Sequence, residues 1–359
     1  MNYSKRTDAI LQRMREENAD WLFITNPHNV RYLSGFTGSY ASLLIHSEKR
    51  CILTDGRYAE QVQNEVDDYT PVIQGNRKEM QAVSDIVGDL SDQTLWFEGE
   101  HLSVARYTAL CESAPAKRYQ AKRGLVEQRR AVKDANEIGA IRRALQIAEA
   151  AFHKVLDFIH EGMTERELAH FLLDEMWRGG AVKESFDPLV LFGPRSSMCH
   201  GKPIDNPLKK GDVVLMDFGC LMPDGYNSDI TRTVFFGRPS SELKEMYECV
   251  QAANQAAEDC LQANLSGARG DQFAREVIRK AGREEQFMHG LGHGVGLEIH
   301  EAPRMSPLSE NDLAAGNVIT VEPGVYVAGT GGVRIEDMIV LREDGCDVLN
   351  TSSKEMIVL

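Results

Sequence analysis

The first third of the chain alternates between amphipathic and apolar segments. Residues 5–18 have the periodicity of an amphipathic helix, and the apolar run at 21–24 that follows has the length of a strand. Further short apolar runs predict strands at 42–45, 51–54 and 95–98, and a helix is expected to begin near Tyr58. This alternation predicts an α/β domain.

Longer helical patterns follow in the rest of the chain. Asp134 and Glu137 have the spacing of a capping box, and apolar residues recur every three or four positions after them. Further helices are predicted at 164–179, 242–265 and 271–281. Apolar runs separated by turn signals predict strands between the helices, mostly as hairpins. This part is therefore expected to be α+β with antiparallel strands.

A basic segment separates the two parts. Seven lysines and arginines lie between positions 117 and 133 of a chain whose net charge is −14. The segment could form a binding patch, but a solvated linker that leads into the next helix is the better interpretation. We therefore predict two domains, at residues 1–125 and 126–359.

The overall composition is that of an acidic, soluble protein. The chain has 54 acidic and 40 basic residues, and this net negative charge disfavours nucleic-acid and anionic-membrane partners. No apolar run has the length of a membrane span, and the first residues do not resemble a signal peptide. The seven cysteines are scattered without a CxxC motif, which suits a reducing compartment. We therefore expect a cytoplasmic globular protein.

Two pairs of acidic residues flank turn signals symmetrically. Asp217 and Asp229 are equidistant from Pro223, and Glu322 and Glu336 are equidistant from Gly329. A hairpin places equidistant residues opposite each other on one face, so each pair should present two carboxylates side by side in a sheet interior. Unpaired buried charges are strongly unfavourable. The pairs therefore indicate ligands for one or two cations.

These four carboxylates and His293 form a set of five candidate metal ligands. Carboxylate oxygens with one imidazole suit Mn²⁺, Co²⁺, Fe²⁺ or Zn²⁺, and the lack of thiolates argues against a structural zinc site. One catalytic zinc uses about three protein ligands, whereas two metal ions roughly 3.5–4 Å apart can share bridging carboxylates. Such a pair activates a water molecule and polarises a carbonyl oxygen, as amide hydrolysis requires.

The segment from His289 to His300 excludes two other kinds of site. His289 and His293 have the spacing of the HExxH metalloprotease motif, but Gly290 stands where the glutamate is needed, and the glycines disfavour a helix. Val295 likewise breaks the glycine pattern of a dinucleotide-binding loop. The glycines are instead expected to let the backbone approach a ligand or metal closely.

Five stretches of the sequence match a known signature. They lie at 216–219, 225–233, 289–301, 321–326 and 333–337 and contain all five candidate ligands in order. In these stretches the chain resembles the "pita-bread" metallopeptidases, and within them the proline-specific Xaa-Pro aminopeptidases and Xaa-Pro dipeptidases (prolidases). Residues 54–58 are similar to a stretch of the creatinase-type N-terminal domain of these enzymes. The resemblance implies an α/β creatinase-like N-terminal domain and an α+β pita-bread domain with a curved antiparallel sheet.

The resemblance also implies two divalent metal ions, Mn²⁺, Co²⁺ or Zn²⁺. Asp217 would bind one ion and His293 and Glu322 the other, while Asp229 and Glu336 would bridge or share them. The interval from Asp217 to Asp229 is 12 residues, one longer than in many members of this family. An extra residue in the turn would be harmless, but a slip of strand register would point Asp229 to the other face.

The same resemblance implies roles for residues around the metals. Glu322 would also accept the proton of the attacking water, and His200 and His300 would stabilise the substrate and the tetrahedral intermediate. The residues that would line the pocket or orient the carboxylates are His289, Tyr326 and Arg334.

Three functions are compatible with these residues. The first is an Xaa-Pro aminopeptidase, in which a metal-bridging hydroxide hydrolyses the bond before proline at the N-terminus of a small peptide. The second is an Xaa-Pro dipeptidase, which must also bind the proline carboxylate and for which Arg31, Arg57 and Arg195 are candidates. The third is a non-catalytic peptide- or protein-binding module, which the complete ligand set disfavours. We expect the aminopeptidase, and the resemblance implies a homodimer.

Overall fold

The computed structural model describes residues 2–359, which form two compact units. The chain passes from the first unit to the second between Arg130 and Ala131. Within the described residues, none of the helices is long and apolar enough to span a membrane. The two units are described one after the other.

The N-terminal unit is built on one mixed sheet with helices packed against it. Its strands are β1 (Trp21–Ile24), β2 (Ser42–His46), β3 (Lys49–Thr54), β4 (Thr70–Ile73), β5 (Leu90–Glu98) and β6 (Ala116–Lys122). Its helices are α1 (Tyr3–Glu16), α2 (Pro27–Ser34), α3 (Ala59–Glu65), α4 (Glu79–Val87), α5 (Val104–Ser113) and α6 (Glu127–Ala131). The strand order is β4-β3-β2-β1-β5-β6, and β1 pairs in antiparallel with β2 and in parallel with β5. The predicted α/β character of this part is confirmed.

The basic segment at the end of this unit begins as a strand and not as a solvated linker. β6 pairs in parallel with β5 at the edge of the sheet. Lys117 and Arg118 are exposed on this edge, and charged side chains there discourage pairing with another chain. The linker prediction is wrong because a charged edge strand has the same composition as a solvated loop.

The C-terminal unit contains four α-helices and twelve short strands among the described residues. The helices are α7 (Ala135–Phe158), α8 (Glu165–Arg178), α9 (Ser241–Cys260) and α10 (Gly267–Lys280). The strands are β7 (Lys183–Glu184), β8 (Leu189–Phe192), β9 (Asp212–Phe218), β10 (Cys220–Leu221), β11 (Ile230–Phe236), β12 (Gly292–Gly294), β13 (Glu301–Met305), β14 (Val318–Val321), β15 (Gly324–Val327), β16 (Gly331–Arg334), β17 (Asp337–Arg342) and β18 (Gly345–Val348).

Antiparallel ladders form the scaffold of this unit, which has the predicted pita-bread architecture. One ladder has the order β11-β9-β8, a second has the order β13-β12-β14-β17-β18, and β15 pairs with β16. The backbone N–H of Glu336 donates to the carbonyl of Thr231 at 3.1 Å and so joins the first two ladders. Apolar residues of these strands and of α9 form one buried core that includes Val250, Ile319 and Ile339.

Helix ends follow their capping signals. The capping box of Asp134 and Glu137 is formed at the start of α7, as the sequence predicts. In contrast, α10 begins four residues before the predicted start at 271, with the Ser266 side chain accepting a hydrogen bond from the backbone of Arg269. Glycines in its first turn hide this start from a periodicity analysis. Gly267 is needed there because a Cβ would overlap the carbonyl oxygen of Arg304.

Candidate metal centre

The first pair of candidate ligands lies at the β9–β11 hairpin. Asp217 is in β9 and Asp229 directly precedes β11. The residue opposite Asp217 is Thr231, so the two aspartates are displaced by two positions, whereas the sequence predicted that they face each other directly. The same register continues toward the turn, where Leu221 lies opposite Asn227, so the hairpin is centred on position 224 and not on Pro223. A displacement by two positions retains the face of the sheet, and both aspartates line one cavity.

The second pair lies at an interruption between two ladders. β14 and β17 pair up to Val321 and Asp337, and β15 and β16 resume the same register after a break. Glu322 and Glu336 stand opposite each other in this break, next to Pro323. The predicted juxtaposition of the two glutamates is confirmed. The break frees both residues from the regular ladder and leaves their side chains in the cavity.

His293 is the middle residue of β12. Its backbone N–H donates to the Thr320 hydroxyl at 3.1 Å, and its Nδ1 lies 3.1 Å from the Gly294 carbonyl. This leaves Nε2 directed at the carboxylates, 3.4 Å from Glu322 Oε1 and 3.6 Å from Asp229 Oδ2. A histidine whose Nδ1 is hydrogen-bonded to a carbonyl has its other nitrogen available as a metal ligand.

The glycines beside His293 serve the packing of strands. A Cβ at Gly292 would overlap the carbonyl oxygen of Thr320, and a Cβ at Gly294 would overlap that of Ala302. Strand packing accounts for glycine at these two positions, and a close approach of the backbone to a ligand stays a prediction, with Gly292 on the cavity wall. The two glycines let β12 fit tightly between β13 and β14, which fixes the imidazole.

The donor atoms of the site fit divalent metal ions. One donor atom from each of Asp229, His293 and Glu336 lies within 4.8 Å of the others, and all three residues are buried. The Oδ1 atoms of Asp217 and Asp229 are buried and have no hydrogen-bond partner among residues 2–359. Unpartnered buried carboxylate oxygens are strongly unfavourable unless a cation compensates them. Oxygen donors with one imidazole match the metals expected from the sequence.

The pKa shifts of the site residues also favour bound cations. Burial, followed by the charge of the neighbouring carboxylates, raises the pKa of Asp229 and Glu336 well above the usual carboxyl range. Burial raises the pKa of Glu322 to about 7. Burial, with a smaller effect of His300, lowers the pKa of His293 to about 3, so its imidazole is neutral near pH 7. A divalent cation would remove the mutual repulsion of the carboxylates and bind the neutral imidazole.

A buried arginine holds the carboxylates from behind. The Arg334 guanidinium contacts Asp217 Oδ2 through one NH2 group, and it donates to the Tyr326 hydroxyl at 2.6 Å and the Thr231 hydroxyl at 3.0 Å. The Thr231 hydroxyl in turn donates to Glu336 Oε2 at 2.7 Å. Arg334 is therefore linked to one carboxylate of each pair, directly to Asp217 and through a hydroxyl to Glu336.

Tyr326 extends this network to a histidine. Its hydroxyl lies 2.9 Å from Nε2 of His289, whose Nδ1 lies 2.8 Å from the carbonyl of Gly290. Burial, followed by the charge of Arg334, lowers the pKa of His289 to about 4. His289 is therefore a neutral hydrogen-bonding group that lines the cavity and contacts the arginine network.

A cavity of 520 Å³ lies over these residues. It is lined by all five candidate ligands and by Arg334 and the three further histidines of the sequence prediction: His200, His289 and His300. Tyr326 is outside the cavity lining and contacts it through its hydrogen bonds. The His300 ring packs edge-to-face on His293 with 4.4 Å between the ring centroids. The cavity therefore brings together residues that are far apart in the sequence.

The cavity also contains a cation that the sequence analysis missed. Arg304 lies opposite His293 in the β12–β13 ladder. Its charge contributes, after burial, to the lowered pKa of His300. Its guanidinium has no ion-pair or hydrogen-bond partner in the described part of the chain, 2–359. No local signal marks Arg304, because its place opposite His293 depends on the bulged ladder between β12 and β13.

The arginines proposed from the sequence have other contacts. Arg195 is outside the cavity lining, and its Nε lies 3.0 Å from the carboxylate of Glu165, which is fully buried. Arg57, in the N-terminal unit, pairs with Asp55 at 2.7 Å. The prediction of Arg195 as a cavity cation is therefore wrong, since a buried carboxylate needs its charge.

The fold and the site together define the class: a pita-bread metallopeptidase with a creatinase-like N-terminal domain. Comparison with known families agrees. The sequence model of metallopeptidase family M24 matches residues 139–343, and that of the creatinase/prolidase N-terminal domain matches residues 6–132. The chain belongs to family M24 and is a metal-dependent hydrolase, as the sequence resemblance implies.

Close relatives cover the whole chain. An Xaa-Pro dipeptidase from Pyrococcus furiosus is 34% identical over 356 residues, which are 98% of this chain and 99% of the relative. A solved structure of an Xaa-Pro dipeptidase from Bacillus anthracis has a TM-score of 0.95 and 38% identity and covers 100% of both chains. An X-Pro aminopeptidase from Thermotoga maritima has a TM-score of 0.90 and 36% identity, covering 98% of this chain and 99% of that one.

Proposed function

We propose that this protein is a prolidase, which hydrolyses the amide bond between the first residue and proline in Xaa-Pro dipeptides. The observation that carries the choice of a dipeptide is the unpaired Arg304 guanidinium on the cavity that contains the candidate ligands. The similarity to Xaa-Pro dipeptidases along the full chain supports the assignment of the Xaa-Pro bond as the one that is cleaved.

Two divalent ions, Mn²⁺, Co²⁺ or Zn²⁺, complete the site in this proposal. Asp217 would hold one ion, His293 and Glu322 would hold the other, and Asp229 and Glu336 would be shared between them. When bound, such ions activate a water molecule as the nucleophile and polarise the carbonyl oxygen of the substrate. The unpartnered Oδ1 atoms of the two aspartates support this assignment.

The side chains around the ions handle the proton and the developing charge. Glu322 accepts the proton of the water and returns it to the proline nitrogen as that nitrogen leaves. The Thr320 hydroxyl donates to Glu322 Oε1 at 3.1 Å, which fixes the carboxylate while Oε2 takes the proton. His200 and His300 line the cavity, and they donate hydrogen bonds to the carbonyl oxygen as negative charge develops on it.

Arg304 makes the enzyme selective for dipeptides. In a dipeptide the proline carboxylate is free, and a planar guanidinium binds a carboxylate through two parallel hydrogen bonds. In a longer peptide this carboxylate is replaced by an amide, so the same arginine has no anion to bind. The selectivity should therefore depend on Arg304 and on the length of the peptide.

The test is product analysis by mass spectrometry with protein reconstituted in Mn²⁺, Co²⁺ or Zn²⁺, with and without chelator. Ala-Pro and Ala-Pro-Ala-Ala are supplied together to the wild type, to Arg304→Leu and to Arg342→Leu. We expect the wild type to cleave Ala-Pro. In Arg304→Leu the KM for Ala-Pro should be roughly 10- to 100-fold higher, because the variant loses a hydrogen bond between charged groups. The control residue Arg342 is a half-exposed β17 arginine paired with Asp347, and its substitution should leave the KM unchanged.

Two outcomes would contradict this proposal. If neither peptide is cleaved with any metal, the Xaa-Pro peptidase function is wrong. If Arg304→Leu cleaves Ala-Pro with the KM of the wild type, the choice of the dipeptide is wrong.

An Xaa-Pro aminopeptidase is the second candidate. It is favoured by the X-Pro aminopeptidase from Thermotoga maritima, whose structure is similar to this chain over nearly its full length. It predicts release of alanine from Ala-Pro-Ala-Ala at a rate comparable with that from Ala-Pro. The same experiment therefore decides between the two.

A further inference from the structure

The loop that carries His300 has no regular secondary structure. Residues 295–300 connect β12 to β13, and the ladder between these strands contains a bulge next to His293. The His300 ring nevertheless stands at a defined place, packed on the His293 ring. A histidine at the end of an irregular loop keeps its place only if other groups hold the loop.

The residue after His300 is folded back into this loop. The Glu301 side chain is 6% exposed, and its Oε2 is 3.5 Å from the backbone N–H of Glu298. A Cβ at Gly296 would overlap Glu301 Oε1, so a side chain there would push the carboxylate out of this position. The carboxylate therefore lies inside the loop and fixes the chain on both sides of His300.

A buried lysine binds this carboxylate. Lys133 Nζ is 2.7 Å from Glu301 Oε1, and the lysine side chain is only 1% exposed. Lys133 is itself fixed, since its backbone N–H donates to the Gly316 carbonyl at 2.9 Å and its Nζ to the Ala131 carbonyl at 3.3 Å. The Asn317 side chain donates to the same Ala131 carbonyl at 2.9 Å. Lys133 thus connects the backbone at Gly316, just before β14, to the Glu301 carboxylate next to His300.

The stability of the fold does not explain such a pair. Moving two charges out of water is so unfavourable that an apolar pair of similar size is often as stable or more stable. An ion pair differs from an apolar contact because it holds two particular charged groups close together. At this position it holds the Glu301 carboxylate, and with it the end of the loop that carries His300, next to the Lys133 ammonium group.

We propose that Lys133 is a positioning residue for His300: through the buried Glu301 carboxylate, it holds the 295–300 loop where the imidazole can donate to the scissile carbonyl oxygen. This inference rests on the proposed function, in which His300 stabilises that oxygen. Lys133 itself does not touch the substrate.

A double-mutant cycle between Lys133 and His300 tests the coupling. Lys133→Met should lower kcat on Ala-Pro about 10- to 100-fold, because a displacement of about 1 Å is worth up to 10²-fold. The KM and the metal content should change little, and Lys133→Arg should recover part of the loss. In a His300→Ala background, Lys133→Met should have no further effect. Losses that multiply in the double variant would overturn the proposal, since Lys133 would then act independently of His300.

A matched control removes a different lysine from a buried carboxylate. Lys154 contacts Glu175, whose side chain is 6% exposed, on α7 and α8. Lys154→Met likewise takes a lysine away from a buried glutamate, but both residues are outside the cavity lining and Glu175 keeps its contact with Arg178, so kcat should remain that of the wild type.

Hydrogen exchange in the metal-free protein gives a readout that is independent of activity. The N–H groups of Val295 and Gly296 donate within the unit, at 3.1 Å to Val318 and at 3.0 Å to Glu298. They should exchange at least about 10-fold faster in Lys133→Met than in the wild type or Lys154→Met, because their local opening becomes easier. Equal exchange in all three proteins would overturn the proposal. If the loop loosens as expected but the wild type cleaves no Xaa-Pro peptide, only the proposed function has failed, and the anchoring of the loop by Lys133 stands.

Discussion

At the scale of single residues, the Thr320 hydroxyl has a special place in the site. It accepts a hydrogen bond from the His293 backbone and donates one to Glu322 Oε1, both at 3.1 Å. Thr320 is fully buried, whereas the Glu322 carboxylate reaches the cavity. One hydroxyl therefore orients two of the five proposed ligands, one through its backbone and one through its side chain.

Thr320→Val should weaken metal binding while the fold is retained. Valine has nearly the same shape, but it cannot donate to Glu322, and loss of such an outer partner commonly lowers metal affinity about 10- to 100-fold. Competition with a coloured chelator measures this affinity. The control is Thr54→Val in the N-terminal unit, another fully buried threonine, which donates to the Tyr40 carbonyl at 2.6 Å. Equal metal affinity in wild type and Thr320→Val would show that the hydroxyl is not part of the site.

At the scale of secondary structure, β12 depends on close approach of its neighbours. It has only three residues, and a Cβ at Gly292 would overlap the Thr320 carbonyl oxygen on β14. Separation of these two strands would displace His293 from Glu322 as well. The stability of the ladder and the geometry of the site are therefore linked at this strand.

Gly292→Ala should lower both stability and metal affinity. Overpacking of a filled interior costs about 1–3 kcal/mol of unfolding free energy, which urea denaturation measures. Gly345→Ala in β18 of the same sheet is the control, because a Cβ there meets nothing within 4 Å and surface changes usually stay within about 0.5 kcal/mol. A Gly292→Ala protein as stable as Gly345→Ala would mean that the strands can separate at no cost.

How far the elements could be predicted depends on whether their signals are local. The capping box that opens α7 and the symmetric positions of Glu322 and Glu336 are local, and both predictions are confirmed. The register of Asp217 and Asp229 differs by two from the prediction because the turn is centred on position 224, one residue beyond Pro223, and the local turn signal does not distinguish these two centres. The charged edge strand β6 has the composition of a linker, and only its pairing with β5 distinguishes it from one.

At the scale of the whole molecule, the sequence predicts only those site residues that lie in short recognisable motifs. The family and the proposed ligands follow from short stretches that keep their order along the chain. Arg304, Thr320 and Lys133 were not singled out, because their roles depend on partners that are distant in sequence or on the face of a strand. Ordinary residue types become informative only once the fold shows what surrounds them.

The buried carboxylates should make the metal-free protein lose stability as the pH rises. Burial raises the pKa of Glu322 from 4.5 to about 7, so the folded state binds its proton more tightly than the unfolded state does. The stabilisation is complete below about pH 4.5 and is lost as the pH rises through about 7. His289, His293 and His300 act in the opposite sense, because burial lowers their pKa values and the unfolded state takes up their protons first.

Comparison of the wild type with Glu322→Gln isolates the carboxylate, since the variant retains the three histidines. Urea unfolding of both metal-free proteins at pH 5, 6, 7 and 8 should show the wild type losing stability relative to the variant, mostly between pH 5 and 7. Glu336 strengthens this trend, because the charge of Glu322 contributes to its raised pKa and is absent from the variant. Saturating Mn²⁺ should stabilise the wild type most at pH 8, where the carboxylates are ionised, and the variant less. If the unfolding free energies of the two metal-free proteins change equally with pH, Glu322 does not titrate as a buried group. Its assignment as a ligand would then lose its electrostatic support.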